Sequence, residues 1–315
     1  MEVLITGASG YIGRYLVDEL IEHGHEVKTL TRQSSLKIKD VEIVCGDILK
    51  PESLLFAFDG VDAVFHNAAY VLDWGKKKEI YRSNVEGTRN IAETCKKKGV
   101  DKIIYTSSAG VYGFPNIDDY ITEESPKNPL NTYQKSKLDG ESVLKKFEDM
   151  NISIIRPPLI LGGAGTAGKI ILEKIEQGKM TYVGRGDHYI SLVHPNDVVQ
   201  CLRLALENDG KHDTFNVVSF ICTIKELFDE IAYQLGVDPP KKRVSYIIAY
   251  CAAFFAELFA TKEPSLTRFR VKSFGTTRKI SCERAKKEIW YKPKYDLQST
   301  VKDMVSWYKK YIQNM

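Results

Sequence analysis

The first half of the chain alternates short apolar runs with longer segments of helical period. Residues 3–5 are apolar and short enough for a buried strand, and residues 11–23 place Ile12, Leu16 and Leu20 on one helical face. This alternation predicts an α/β fold with a doubly wound parallel sheet that helices cover on both faces. Further strands are predicted over 27–30, 41–44, 61–66, 103–105 and 152–155, and further helices over 51–58, 79–98 and 131–148.

The alternation ends at the proline pair 157–158. Beyond it, glycines cluster over 162–168, and regular elements are harder to place. We therefore predict a first domain over residues 1–156 and a smaller, mostly helical C-terminal lobe over residues 157–315, with some segments returning to the first domain. The lobe is expected to bind the substrate.

A glycine-rich turn joins the first strand to the first helix. Residues 6–13 carry Gly7, Gly10 and Gly13 at the spacing GxxGxxG. In a strand–turn–helix unit, such glycines allow a tight turn, a close approach of the backbone to a pyrophosphate, and close packing of the helix on the sheet. The N–H groups at the helix start bind the anion. This context favours a dinucleotide-binding domain over a merely structural turn.

The end of the second strand bears on which dinucleotide binds. An acidic residue there would accept hydrogen bonds from the ribose of NAD, whereas this chain has Arg32, followed by Lys37 and Lys39. An arginine pairs with a 2′-phosphate in a bidentate way, so we expect NADP, with NAD as the alternative if Arg32 is only a surface residue. Asp47 ends the third strand and is expected to meet the adenine amino group, unless it is a plain strand-end residue.

Tyr133 and Lys137 lie four residues apart at the start of a predicted helix, which puts them on one face. A neighbouring ammonium favours the phenolate, so the pair is expected to lower the pKa of Tyr133 toward neutral pH and to act as a general acid and base. Ser107 and Ser108 end the fifth strand at the carboxyl edge of the sheet, where ligands bind in such folds. A hydroxyl there is able to hold a reacting oxygen, although strand-end serines are commonly only caps.

Composition and charge exclude several function classes. The 45 Lys and Arg against 41 Asp and Glu give a net charge of +4 without a basic stripe, so nucleic acid is not expected as a partner. The six cysteines form no CxxC pair, which argues against a metal site and suits a reducing compartment. No secretory signal precedes the first strand, so a cytoplasmic location is expected.

The apolar stretch 246–260 contains one charged residue, Glu257. A membrane span needs about 20 residues, so no span is expected here. The expected role is a core or lid helix, and contact with a membrane surface is the less favoured alternative.

Together these motifs resemble the extended short-chain dehydrogenases/reductases of the NAD-dependent epimerase/dehydratase superfamily, whose fold is the Rossmann doubly wound sheet. The resemblance runs from the phosphate turn to near the C-terminus. It rests on TGASGYIG at 6–13, HNAA at 66–69, NVEGT at 84–88, YTSSAGVYG at 105–113, YQKSK at 133–137, Arg156-Pro157, and VHPNDV at 193–198.

The resemblance implies roles for individual residues. Tyr133 would be the catalytic acid and base, Lys137 would bind the nicotinamide ribose, and Ser108, rather than Ser107, would steady the substrate oxygen. The family often forms homodimers through the helices that correspond to 79–98 and 131–148. The residues implied to bind the cofactor are Gly7, Ser9, Gly10, Tyr11, Ile12, Gly13, Arg32, Lys37, Asp47, Ile48, Ala68, Ala69, Asn84, Ser107, Tyr133, Lys137, Pro157 and Leu159.

One departure and two resemblances point to a branch of the family. Nucleotide-sugar epimerases and dehydratases usually carry an arginine four positions before the histidine of an HxxD segment, and here that position is Ile190. The C-terminal third, with ISCERAKK at 280–287 and YKP at 291–293, resembles the 3β-hydroxysteroid and sterol dehydrogenases, which act on apolar alcohols and ketones. Because of Arg32, the cofactor site is similar to that of the dihydroflavonol reductases, which use NADP.

Three functions are therefore considered. The first is an NADP-dependent oxidoreductase that transfers a hydride between nicotinamide and an apolar secondary alcohol or ketone, steroid-like or flavonoid-like. The alternative is a nucleotide-sugar epimerase or dehydratase with tightly bound NAD. A non-catalytic dinucleotide sensor is disfavoured, because a sensor does not need an acid/base set.

Overall fold

The computed structural model describes residues 1–33, 35–115, 119–208, 210, 212–262 and 264–313, and a sheet of seven parallel strands lies at the centre of this described part. The strands are β1 (Glu2–Thr6), β2 (Glu26–Thr31), β3 (Val41–Cys45), β4 (Ala63–His66), β5 (Lys102–Thr106), β6 (Asn151–Arg156), β7 (Leu159–Ile160), β8 (Tyr182–Val183), β9 (Tyr189–Val193), β10 (Asp213–Asn216), β11 (Phe220–Thr223) and β12 (Arg243–Val244).

The order in the central sheet is β3-β2-β1-β4-β5-β6-β10, so the order in which successive strands are added to the sheet reverses between β1 and β4. The register pairs Thr6 with both Leu30 and His66, and it pairs His66 with Tyr105. The carboxyl ends of these strands therefore meet at one edge, which is where doubly wound sheets bind ligands. The predicted α/β fold class is confirmed.

Helices cover both faces of the sheet. The strands at the centre of the sheet read as largely apolar runs because they are buried on both sides, whereas the edge strand β3 is only partly buried. The helices are α1 (Tyr11–Glu22), α2 (Lys77–Tyr81), α3 (Gly87–Lys98), α4 (Thr132–Leu144), α5 (Thr166–Glu176), α6 (Pro195–Glu207), α7 (Ile224–Leu235), α8 (Tyr246–Phe259), α9 (Arg268–Gly275), α10 (Glu283–Glu288) and α11 (Leu297–Gln313).

Two predicted helices differ from the sequence-based expectation. The segment 51–58 forms two 3₁₀ turns, Pro51–Ser53 and Leu55–Phe58, instead of one helix. The helix expected over 79–98 contains a π-helical turn, Arg82–Glu86, between α2 and α3. Turns of this kind occur frequently at functional sites.

Part of the second half returns to the central sheet. β10 pairs in parallel with β6, and α6 packs against α1. The rest forms a layer of its own, in which β7, β9 and β11 make a small sheet beside α5, α7 and α11. α8 packs on α9. Within the described ranges, no helix is long and apolar enough to cross a membrane.

Candidate active site

The turn between β1 and α1 requires two of its glycines for packing. Gly7 has a φ of +79°, and a Cβ there would lie 2.8 Å from the backbone nitrogen of Ala68. A Cβ on Gly13 would lie 2.1 Å from the carbonyl oxygen of Gly7. Any side chain at either position would therefore push the turn, the helix and the neighbouring loop apart.

Gly10 is a glycine for a different reason. A Cβ there would meet the Gly7 carbonyl oxygen at 3.1 Å and otherwise face open space. Gly10 is also the N-cap of α1, where no side chain caps the helix and no acidic residue stands in the first turn. The first N–H groups of α1 are thus left for an anion that approaches the exposed backbone at Ser9 and Gly10. The pyrophosphate of a dinucleotide fits this cradle.

Tyr11 and Ile12 would contact the anion through their backbone, because their side chains pack against other parts of the protein. Ile12 belongs to the hydrophobic core. The Tyr11 side chain lies under the glycine loop of the second half, where a Cβ on Gly165 would be 2.9 Å from its hydroxyl. The hydroxyl of Tyr15 donates to the Gly163 carbonyl at 3.0 Å. α1 therefore links the cradle to the second half of the chain.

The rim beside the cradle carries Arg32. Because Thr6 pairs with Leu30, the end of β2 lies next to the glycine turn. The side chain of Arg32 is exposed, and among the described residues it makes no hydrogen bond or ion pair; Lys37 is exposed on the following loop. A phosphate on this side would meet cations without first breaking an ion pair.

Asp47 and Ile48 follow β3 at the same edge. The Asp47 carboxylate accepts a hydrogen bond from the Leu49 N–H at 3.0 Å, and the Asp47 N–H donates to the Ser53 hydroxyl at 2.9 Å. Asn90 of α3 donates to the Ile48 carbonyl at 2.7 Å. These bonds fix the loop with the carboxylate at the ligand edge.

Asn84 lies in the π-helical turn and orders the loop after β4. Its Oδ1 accepts from the Tyr70 N–H at 2.7 Å, and its Nδ2 donates to the Tyr70 carbonyl at 3.1 Å and to the Ser136 hydroxyl at 2.9 Å. The amide ties the loop that contains Ala68 and Ala69 to α4. Asn84 is buried, so it acts on the site by positioning this loop.

A capping box starts α4. The Asn131 side chain accepts from the Gln134 N–H at 2.9 Å, and the Gln134 side chain accepts from the Asn131 N–H in return. These reciprocal bonds fix the first turn of α4, and with it Tyr133 and, one turn later, Lys137.

The Ser108 hydroxyl lies close enough to Tyr133 to lower the pKa of the phenol. Ser108 also accepts from the Gly110 N–H at 3.0 Å, and the Ala109 N–H donates to the Pro157 carbonyl at 2.9 Å. The ends of β5 and β6 are thus held together around the two hydroxyls. A hydroxyl pair at the ligand edge is suited to exchange a proton with a substrate oxygen.

Burial dominates the acid–base properties of the site. Burial, followed by the negative charge of Asp73, raises the pKa of Tyr133 to about 12, although the nearby Ser108 hydroxyl lowers it. Burial lowers the pKa of Lys137 to about 7, and its Nζ lies 4.2 Å from the centre of the Tyr105 ring. In this structure the pKa of Tyr133 is raised, because burial of the phenol and the charge of Asp73 both act in that direction. The lowering of this pKa by Lys137 stays a prediction for the enzyme with its cofactor bound.

Ser107 belongs to a buried network beneath the site. Its hydroxyl donates to Glu141 Oε1 at 2.5 Å, and Arg156 donates to the two Glu141 oxygens at 2.9 and 2.6 Å. Arg156 also donates to the Tyr112 hydroxyl at 2.7 Å. The side chains of Glu141 and Arg156 are each only 1% exposed. Ser107 is therefore a supporting residue, and Ser108 is the serine that meets Tyr133.

Three charged residues near the site were missed by the sequence analysis. Asp73, on the loop after β4, pairs with Arg270 of α9 at 3.2 Å. Arg278 donates to the Gly113 carbonyl at 3.4 Å, its guanidinium lies 4.9 Å from the Phe114 ring centre, and burial lowers its pKa to about 10. They come from distant parts of the chain, so no short-range pattern marks them.

Position 190 lies in the core of the second half. Leu159 of β7 pairs with Leu192 of β9, and Ile190 of the same strand is buried. An apolar side chain therefore stands where the nucleotide-sugar enzymes of the resembled family usually have a cation.

Known proteins share this sequence pattern and this fold. A model of the NAD-dependent epimerase/dehydratase family matches residues 3–218. The chain belongs to this family. Human "sterol-4-alpha-carboxylate 3-dehydrogenase, decarboxylating" is 30% identical over 92% of this chain and 83% of its own length. The N-acetyl-alpha-D-glucosaminyl-diphospho-ditrans,octacis-undecaprenol 4-epimerase of Escherichia coli O157:H7 is 30% identical over 87% and 86%. The crystal structure of gox2253 has a TM-score of 0.84 at 28% identity, over 98% of both chains.

Family membership defines the class of the protein. The chain is an enzyme, an extended short-chain dehydrogenase/reductase whose cofactor is a nicotinamide dinucleotide. The predicted family, its sterol dehydrogenase-like branch and the Rossmann fold are confirmed.

Proposed function

We propose that this enzyme is an NADP-dependent oxidoreductase that acts on a secondary alcohol or ketone of an apolar, steroid-like or flavonoid-like molecule. The observation that carries the proposal is the approach of Ser108 to Tyr133 at the ligand edge, with Lys137 one turn further along α4. The likeness to a protein named as a sterol dehydrogenase supports an apolar substrate.

The chemistry divides between the cofactor and three side chains. When bound, the dinucleotide supplies or accepts the hydride. Tyr133 exchanges a proton with the substrate oxygen: it donates the proton when a ketone is reduced and removes it when an alcohol is oxidised. Ser108 holds the same oxygen through a second hydrogen bond. Lys137 binds the cofactor ribose and, when protonated, stabilises the phenolate of Tyr133.

The raised pKa of Tyr133 predicts different pH profiles for the two directions. With a pKa of about 12, Tyr133 stays protonated and ready to donate, so above the pKa of about 7 of Lys137 the kcat/KM for ketone reduction should be nearly flat, between about pH 8 and 10. Oxidation needs the phenolate, whose population grows about tenfold per pH unit below that pKa, so oxidation should rise steeply. Initial rates with one alcohol–ketone pair test this, and a flat oxidation profile would contradict it.

The exchange Arg32→Asp should reverse the cofactor preference. The guanidinium offers a bidentate partner to a 2′-phosphate, whereas a carboxylate repels the phosphate and accepts hydrogen bonds from a 2′-hydroxyl. We expect NADPH binding to weaken by about 10–100-fold and NADH binding to tighten, as measured by calorimetry. Arg185→Asp, at an exposed arginine of the loop after β8, is the matched control and should change neither Kd. Equal binding of both dinucleotides by the unmodified protein would refute the NADP assignment.

A nucleotide-sugar epimerase with retained NAD is the second candidate. The likeness to the Escherichia coli 4-epimerase favours it, while the buried Ile190 disfavours it. The cofactor released on denaturing the purified protein separates the two. Stoichiometric NAD with sugar interconversion and no net redox change would support the epimerase. An exchangeable cofactor with net reduction of NADP by an apolar alcohol would support the oxidoreductase.

We also propose a homodimer, formed through the outer faces of α3 and α4, and a cytoplasmic location. The six cysteines are free thiols, two of them exposed, which suits a reducing compartment. Sedimentation velocity should give twice the chain mass of 35.7 kDa. A monomer at all concentrations would contradict the dimer.

A further inference from the structure

The helix α8 turns an apolar face outward. The positions that its helical spacing places on the side away from the protein are all exposed, with Ile247 at 72% and Phe259 at 77%. Ala249 and Ala253, on the opposite side, are buried. We call this exposed side the outer face of α8. Its members are Ile247, Ile248, Cys251, Ala252, Phe254, Phe255, Leu258 and Phe259.

The charge on α8 lies away from the outer face. Glu257 accepts hydrogen bonds from the backbone N–H and the Nε of Arg268, each at 2.7 Å. A surface helix normally presents its polar residues to water and its apolar residues to the core. α8 has no polar side chain among its exposed positions, so water is a poor partner for this face.

The N-terminal end of the outer face is flanked by cations. Lys241, Lys242 and Arg243 are exposed just before the helix, whereas after it Lys262 is followed by the acidic residue Glu263 in the sequence. The Lys241 ammonium donates a hydrogen bond to the Asp238 carboxylate at 2.7 Å, so this carboxylate does not neutralise Lys242 or Arg243. An apolar strip that begins at exposed cations offers an apolar partner to acyl chains and a counter-charge to anionic headgroups.

Length and charge distinguish a lipid surface from other occupants. The helix has 14 residues and is about 21 Å long, shorter than the roughly 30 Å of a bilayer core, so it lies in the interface. A second copy packed in parallel on the outer face would bring Lys241–Arg243 of one chain to the same residues of the other, cation opposite cation, whereas anionic headgroups neutralise these cations. An antiparallel copy is distinguished from a lipid surface by sedimentation velocity.

We propose that the outer face of α8 docks this enzyme on the surface of an anionic lipid bilayer. The helix behind it, α9, faces the catalytic half. Its Phe269 packs edge-on against Phe114 with ring centres 5.8 Å apart, and its Arg270 pairs with Asp73. The docked face is thus one helix away from the catalytic edge, on a side where a lipid-dissolved substrate would arrive. Binding to the bilayer does not depend on catalysis, so it can be measured without a substrate.

Vesicle flotation of the full chain tests the proposal. The unmodified protein should float with phosphatidylcholine vesicles that contain phosphatidylglycerol, and less with phosphatidylcholine alone. The double variant Phe255→Asp/Leu258→Asp should lower the partition coefficient at least about tenfold, since it puts two charges into the apolar strip. Both positions are exposed, so the fold should persist, and NADPH binding and Tm check that it does. Phe56→Asp, at a phenylalanine 80% exposed on the opposite half, is the matched control and should float normally.

A charge variant tests the choice of lipid. The triple exchange Lys241→Glu/Lys242→Glu/Arg243→Glu should abolish the preference for anionic vesicles, while Lys309→Glu/Lys310→Glu, on α11, should leave it intact. The proposal is overturned if the unmodified protein fails to float, or if the Phe255/Leu258 variant floats as well as the unmodified protein. It is also overturned if the variant only dissociates a dimer in sedimentation velocity, because the face would then belong to a second copy.

Discussion

The exchange Tyr133→Phe is expected to lower the kcat of ketone reduction by about 10²–10⁴-fold. The change removes the hydroxyl that donates the proton to the substrate oxygen, while the ring and the bond from the Gly110 N–H to Ser108 remain. Proton transfer plays no part in cofactor binding, so Kd for NADPH should change by less than about threefold. Steady-state rates and calorimetry measure the two effects separately.

Two variants sharpen this comparison. Tyr233→Phe removes the hydroxyl of an exposed tyrosine on α7 and should leave kcat unchanged. Ser108→Ala should be intermediate, at about 10–100-fold, because Tyr133 still donates its proton while one hydrogen bond to the oxygen is lost. If Tyr133→Phe keeps more than a tenth of the activity, Tyr133 is not the proton donor. A protein that binds the dinucleotide but converts no alcohol or ketone would support the hypothesis of a non-catalytic dinucleotide sensor.

The central sheet was predictable because most of its strands are largely buried and therefore read as mainly apolar runs. β10 was not predicted, since Asp213–Asn216 reads as DTFN, with a single apolar side chain. Its place is set by pairing with β6, about sixty residues earlier in the chain. The π-helical turn Arg82–Glu86 was also invisible, because one extra residue barely changes the hydrophobic period of a long helix.

The candidate site was predictable where short spacings determine geometry. Tyr133 and Lys137 share a face because they are four apart on a helix. The family resemblance implied Ser108 rather than Ser107, but the physical reason needs the fold, since it depends on where Glu141 of α4 lies relative to β5. The pKa of Tyr133 needs the fold as well, because the burial that raises it comes from side chains scattered along the sequence. The network of Arg156 has no local signal for the same reason.

Breaking the buried ion pair of Glu141 and Arg156 beneath the site should have a large effect on stability. The exchange Glu141→Ala should destabilise the protein by about 3–5 kcal/mol, a fall in Tm on the order of 10 °C. The exchange would leave the Arg156 guanidinium buried without its carboxylate partner. Burial lowers the pKa of Arg156, whereas the hydrogen bonds and the negative charge of Glu141 raise it. Calorimetric unfolding measures the loss. Glu148→Gln, at an exposed acid just beyond α4, should cost less than about 0.5 kcal/mol.

The double variant Glu141→Leu/Arg156→Met separates the charge effect from packing. With both charges gone, no ion is left unpaired, so it should be less destabilised than either single exchange. Ser107 and Tyr112 each lose one partner, at about 1–3 kcal/mol, so it should still fall below the unmodified protein. Simple addition of the two single effects would show that the pair is uncoupled. Because Ser107 adjoins Ser108, the double variant should lower kcat through a loosened strand end, yet keep the rise of oxidation with pH, which belongs to Tyr133.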